Sequence, residues 1–159
     1  MIQRIQTLYL TLIVILGTLV CIFPPVEFFT PEEAENVREL TFTFTGIYDI
    51  TNPAVSVKLM STISLSILSV VIPLIAAVNI FLFKRRILQA RINVINVVLC
   101  LGWYAILAVY VWFACKNFAV EWFITAWAAI PLVNLVLTLM ATRAILRDEA
   151  LVRAADRLR

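Results

Sequence analysis

Lys84-Arg85-Arg86-Ile87-Leu88-Gln89-Ala90-Arg91 carries four cations in eight residues, without an acid, between two long apolar runs. Short loops rich in Lys and Arg resist transfer across a membrane and stay in the cytoplasm. Placing this loop inside assigns a side to every other polar segment. The stretch therefore decides how the chain sits in a bilayer, although it says nothing of an activity.

Composition supports lipid as the solvent. The 159 residues are 63% hydrophobic and 14% charged, whereas soluble domains average roughly half apolar and a quarter charged. Four spans and one modest loop use up that length as a single membrane domain, 1–159. The cations lie beside hydrophobic spans, where anchoring explains them, so nucleic acid is not an expected partner. The chain has no His, which removes the commonest general base and metal ligand. Cys21, Cys100 and Cys115 form no C-x-x-C pair and read as small buried hydrophobes. A Cys21–Cys115 disulfide is the alternative, because both residues fall near the outer ends of their helices.

The first expected span, 5–23, follows Arg4 and could pass for a signal peptide. It is long enough to cross, and Phe23-Pro24-Pro25 ends it where a small-residue cleavage site would otherwise stand. Thr7, Thr11 and Thr18 share a face, which predicts a helix-packing surface. The polar loop 24–58 opens a helix at Thr30-Pro31-Glu32-Glu33, a capping box, running over about 31–40. Its glutamates read as a solvated face in preference to a metal site. Thr41-Phe42-Thr43-Phe44-Thr45 alternates as a half-buried strand does, with Val26-Glu27-Phe28-Phe29 as its expected antiparallel partner.

The second span, 59–83, carries a small-residue stripe of Thr62, Ser66, Ser69, Pro73 and Ala76, suited to close helix approach. Pro73 predicts a kink and a freed carbonyl. The third span, 92–115, has Asn93 and Asn96 at its inner end. It joins the fourth, 120–145, through the short turn Lys116-Asn117-Phe118-Ala119. Tyr110, Trp112, Phe118 and Trp122 gather there like an interfacial aromatic belt. Asn134 falls near the middle of the fourth span and should face another helix. The tail 146–159 continues as a helix, with Glu149 and Arg153 spaced to pair and Leu151, Ala155 and Leu158 on one face.

Among the 13 cations, all but Arg38, Lys58 and Lys116 fall on the inner side in this arrangement. Glu27, Glu32, Glu33, Glu35, Glu39, Asp49 and Glu121 fall outside. The expected fold is an all-α membrane protein: a four-transmembrane-helix antiparallel bundle with a small extracytoplasmic helix/β-hairpin cap, a cytoplasmic C-terminal helical extension and both termini inside. Ile72-Pro73-Leu74 is echoed by Ile130-Pro131-Leu132, and Arg85-Arg86-Ile87-Leu88 by Arg143-Ala144-Ile145-Leu146. Duplication of one hairpin and shared membrane composition both account for the echo.

Met1-Ile2-Gln3-Arg4-Ile5-Gln6-Thr7-Leu8-Tyr9-Leu10 and Asp148-Glu149-Ala150-Leu151-Val152-Arg153-Ala154-Ala155-Asp156-Arg157-Leu158-Arg159 resemble the two ends of an uncharacterised bacterial family of four-helix inner-membrane proteins, a domain of unknown function. The resemblance covers essentially the whole chain. It implies the inner (cytoplasmic) membrane of a Gram-negative bacterium and brings no activity, cofactor or catalytic residue.

No redox cysteine pair, buried ionisable dyad or glycine-rich phosphate loop is present in the sequence, so no catalytic residue, cofactor or metal ligand is expected. The leading expectation is a non-catalytic accessory or scaffold subunit of a membrane complex. Its partners would be membrane lipids and a protein that meets the extracytoplasmic cap or the cytoplasmic tail, through Leu151, Arg153, Arg157 and Leu158. The other reading is a binder or carrier of a lipid or small apolar molecule. Its cleft would lie at the hairpin-repeat interface, lined by Thr11, Ser69, Tyr104 and Asn134. Replacing Lys84, Arg85, Arg86 and Arg91 together with Gln should give a mixed-orientation population, read by labelling single cysteines from each side of the membrane.

Overall fold

The computed structural model of the chain describes residues 3–29, 39–51, 56–83, 85–118 and 120–157. It is mostly helical. The helices are α1 (Gln3–Val20), α2 (Ile63–Phe81), α3 (Arg86–Phe118) and α4 (Ile130–Arg157). Among the described residues, three stretches are long and apolar enough to cross a membrane: Ile63–Phe81, Arg86–Phe118 and Ala126–Val152. Ile5–Val20 is a shorter apolar helix. α1 packs against α2 and α4, and α3 packs against the same two.

The basic stretch is less of a loop than its charges suggest. α3 begins at Arg86, so Arg86 to Arg91 form its first turns. Arg, Ile, Leu, Gln and Ala are all competent helix formers, and no Gly or Pro interrupts them. The helix has 33 residues and is therefore about 50 Å long, well beyond the roughly 30 Å hydrocarbon core of a bilayer.

Strands replace helix at the other end. β1 (Val26–Phe29) pairs antiparallel with β5 (Glu121–Ile124), in the register Val26↔Ile124 to Phe29↔Glu121. β2 (Leu40–Phe42), β3 (Gly46–Asp49) and β4 (Val57–Ser61) form a second antiparallel sheet in that order. The expected partnership between Val26–Phe29 and the alternating threonine segment is thus incorrect. The two segments pack side by side, with the Phe28 and Phe42 rings 6.5 Å apart, but each finds its hydrogen bonds elsewhere. Thr43 and Gly46 exchange backbone bonds of 2.9 and 3.4 Å, turning the chain directly back into β3. A Cβ on Gly46 would lie 2.6 Å from the Met60 carbonyl oxygen, which accounts for the glycine.

Two span boundaries shift for the same reason. Leu59 to Ser61 belong to β4, and Glu121 to Ile124 to β5, followed by a 3-10 turn at Ala126–Ala129. A short apolar run fits helix or strand alike; the partner across the sheet decides. The helix expected over 31–40 falls on residues 30–38, outside the described residues, apart from its last two positions; Leu40 is in β2.

Burial also reverses one face. Thr7, Thr11 and Thr18 are exposed, and α1 packs through Gln6, Leu10, Ile13 and Gly17. Thr11 Oγ1 donates to the Thr7 carbonyl at 2.8 Å, and Thr18 Oγ1 to that of Ile15 at 2.7 Å. Hydroxyls that fold back on their own helix need no neighbour. The stripe on α2 does pack: Thr62, Ser69, Pro73 and Ala76 are buried, and Asn79 extends it.

The two echoed prolines stand in different settings. Pro73 lies inside α2, whereas Pro131 is the second residue of α4, where proline is tolerated without a kink.

At Gly17 an added Cβ would stand 2.8 Å from the Cβ of Pro73, whereas at Gly102 the nearest atom is a Leu68 methyl at 3.8 Å. Helix propensity favours Ala over Gly by about 1 kcal/mol at either site. Gly17→Ala should nevertheless lower the unfolding temperature in detergent, through overpacking of about 1–3 kcal/mol. Gly102→Ala should hold or raise it.

Candidate functional site

The sheet end of the molecule contains a pocket of about 370 Å³. Its wall is the end of α1, through Val20 and Cys21, with Phe23-Pro24-Pro25; its roof is the β2–β3 turn. Its floor is α2, through Thr62, Leu65, Ser66 and Ser69, with Trp103 from α3. The floor hydroxyls are engaged. Thr62 Oγ1 lies 3.3 Å from the carbonyls of both Thr43 and Phe44, and Ser66 Oγ also donates to the Phe44 carbonyl. Ser69 Oγ donates to Leu65 O at 2.9 Å and accepts the indole N–H of Trp103 at 2.8 Å. What remains for an occupant is mainly apolar surface.

Pro73 has no amide hydrogen to give the Ser69 carbonyl four residues before it. Cys21 Sγ, arriving from α1, lies 3.6 Å from that oxygen and supplies a weak donor in its place. Cys21, Cys100 and Cys115 are all free thiols, and only Cys100 is fully buried. The disulfide alternative is therefore not formed.

The expected intramembrane polar cluster is not assembled. Thr11 faces outward. Ser69 pairs with Trp103. Tyr104 donates its hydroxyl to the Ala128 carbonyl at 2.6 Å, bridging α3 to the 3-10 turn before α4. Asn134 is 1% exposed, buried as expected, but it stands in the first turns of α4 and not mid-helix, because strand and 3-10 turn fall within 121–129; its Oδ1 has no hydrogen-bond partner and it does not line the pocket above.

The basic end holds polar groups that the sequence only half revealed. Asn79 Nδ2 donates to Asn93 Oδ1 at 2.6 Å and to the Gln89 carbonyl at 3.2 Å. Gln89 Nε2 returns a bond of 3.1 Å to the Asn79 carbonyl. These bonds clamp the end of α2 to the start of α3, and Asn96 lies buried one turn further along. Gln89, Asn93 and Asn96 stand at i, i+4 and i+7, a helical face readable from sequence. Asn79 falls three residues beyond Ala76 on the α2 stripe. Amide side chains do not titrate, so this seam offers hydrogen bonds but no acid–base chemistry.

The tail continues as a helix, as expected. α4 runs unbroken to Arg157, and its residue Asp148 is buried. Gln6 Nε2 donates to Asp148 Oδ2 at 2.6 Å, and Arg86 Nη1 to the Asp148 carbonyl at 3.2 Å. This junction joins the starts of α1 and α3 to α4, and no sequence spacing announced it. Leu151 is 54% exposed. The side chains of Arg153 and Arg157, and Leu158 entirely, lie outside the described residues. Among the described residues no three of His, Cys, Asp or Glu gather as a metal site.

Asn79→Ala should lower stability by about 1–3 kcal/mol, because it strands buried groups on Gln89 and Asn93. Asn79→Leu with Asn93→Leu should cost less than the sum of the two single changes, since a donor and its acceptor leave together. Unfolding of the unsubstituted protein and the four variants in detergent measures both.

No curated protein matches the chain. Residues 2–158 match the family model DUF4293, a domain of unknown function, and the chain belongs to that family.

Proposed function

We propose that the protein is a four-spanning bacterial inner-membrane protein with both termini in the cytoplasm, and that it acts as a non-catalytic accessory or scaffold subunit of a membrane complex. In this reading α1 is the fourth span of an antiparallel bundle. Its 18 residues reach about 27 Å, close to a bilayer's hydrocarbon thickness, and it packs along α2 and α4. The basic stretch and the Gln6–Asp148–Arg86 junction then lie inside, and the two sheets outside.

The observation that carries the scaffold role is the β1–β5 ribbon. Trp122, Phe123 and Ile124 are 47%, 62% and 55% exposed on β5, and among the described residues the ribbon pairs with no third strand. Contiguous exposed apolar side chains characterise interaction surfaces. Leu151 and Val152 offer a second, smaller apolar face at the other end. Labelling single cysteines at Thr45 and Leu88, both exposed, tests the orientation: Thr45 should react from outside and Leu88 only from inside.

A second reading, a binder of a small apolar molecule, is favoured by the pocket beneath the β2–β3 turn. Asn134 takes no part in it, so this cleft differs from one at a hairpin-repeat interface. One preparation separates the two readings: gentle crosslinking in native membranes, then purification in mild detergent. A scaffold should carry a reproducible partner that Phe123→Asp or Leu151→Asp releases while insertion is kept. A binder should arrive alone with an extractable apolar ligand that Leu65→Trp excludes. A solitary, ligand-free monomer would count against both.

A further inference from the structure

A concave site of about 630 Å³ opens at the basic end, lined by Arg85, Arg86 and Arg91 from the start of α3 and by Glu149 and Val152 from α4, with Leu88 at its edge. Three arginines and one glutamate are among its lining residues, so the lining carries a net positive charge. The first turn of α3 contains no acid. Cations at a helix N-terminus add to the positive end of the helix dipole, an arrangement that costs stability unless an anion answers it. The positive-inside rule asks for cations in this connection, but it does not ask that they meet around a cavity.

Apolar side chains border the charged ones. Leu88 is 39% exposed and Val152 43%. A purely aqueous anion gains nothing from such an edge, whereas an amphiphile meets charge with its head and Leu88 and Val152 with its first methylenes. The bond from Arg86 Nη1 to the Asp148 carbonyl fixes the start of α3 against α4 and engages one of the five N–H donors of that guanidinium.

We infer that this pocket binds the phosphate headgroup of an anionic membrane phospholipid, held between the first turn of α3 and the inner end of α4. Basic pockets between helices at the membrane surface bind such headgroups, and each cation near the surface contributes about fivefold in affinity. The inference rests on the membrane placement alone and is independent of any scaffold role.

The test uses the full chain in phosphatidylcholine nanodiscs doped with phosphatidylglycerol, followed by native mass spectrometry of retained lipid. Phosphatidylglycerol should be retained over phosphatidylcholine. Arg85→Gln with Arg91→Gln, both exposed side chains, should weaken that retention roughly thirtyfold. Arg143→Gln with Arg147→Gln, the same charge change on α4 outside the pocket, should leave it within about twofold. Glu149→Gln removes the pocket's carboxylate and should strengthen retention. Equal losses for the two arginine pairs would reduce the site to diffuse attraction and overturn the inference. So would displacement of the lipid by excess inorganic phosphate, or equal retention of phosphatidylcholine.

Discussion

A single missing backbone hydrogen organises the middle of the molecule. Pro73 gives α2 no N–H at that position, and the Ser69 carbonyl must find another donor. The Cys21 thiol comes to within 3.6 Å of it because α1 approaches α2 so closely that Gly17 has no room for a Cβ against Pro73. The side chain of the same Ser69 receives the indole of Trp103 from α3. Three helices are thus fixed at one level by one steric fit, one thiol contact and one indole bond. Trp103 is the largest fully buried side chain, and burying its N–H unpaired would cost about 1–3 kcal/mol.

Toward the sheet end, the fold exchanges helix for sheet. Thr62 and Ser66, in the first turn of α2, hold the carbonyls of the β2–β3 turn. The β1–β5 ribbon links the segment after α1 to the segment before α4, and Thr125 extends it with bonds to the carbonyls of Pro24 and Pro25 at 2.7 and 3.2 Å. Phe23 stacks on Trp127 at 3.8 Å. Halves of the chain separated by about a hundred residues are joined by backbone bonds, which no exchange of one apolar side chain for another would break. The pocket under the turn exists because these strands stand over the helix ends instead of continuing them.

Toward the basic end, the contacts become polar. The Asn79–Gln89–Asn93 seam closes α2 against α3, and Gln6–Asp148–Arg86 closes the other side. Both lie next to the arginine pocket, so the end of the molecule that carries most charge is also held by directional bonds. Such bonds set register where apolar packing alone would allow sliding. A headgroup bound at Arg85 and Arg91 would meet a surface fixed from both sides.

Much of this was determined by the sequence. The apolar runs, the charge asymmetry, the α2 stripe and the burial of Asn134 follow from period and composition, which act within one segment. The same is true of the strand character of residues near Thr41. Other features were decided only by tertiary structure. Val26–Phe29 took Glu121–Ile124 as partner because backbone donors pair with whatever strand lies beside them, whatever its side chains. Thr11 turned outward because its hydroxyl could satisfy itself on Thr7, so its chemistry never required a neighbour. Asp148, in the tail, is buried because Gln6 and Arg86, far away in sequence, reach it across the ends of three helices. A periodic pattern specifies which face of an element prefers burial. Which atoms then meet depends on the positions of other elements, and that information is carried by no single stretch of the chain.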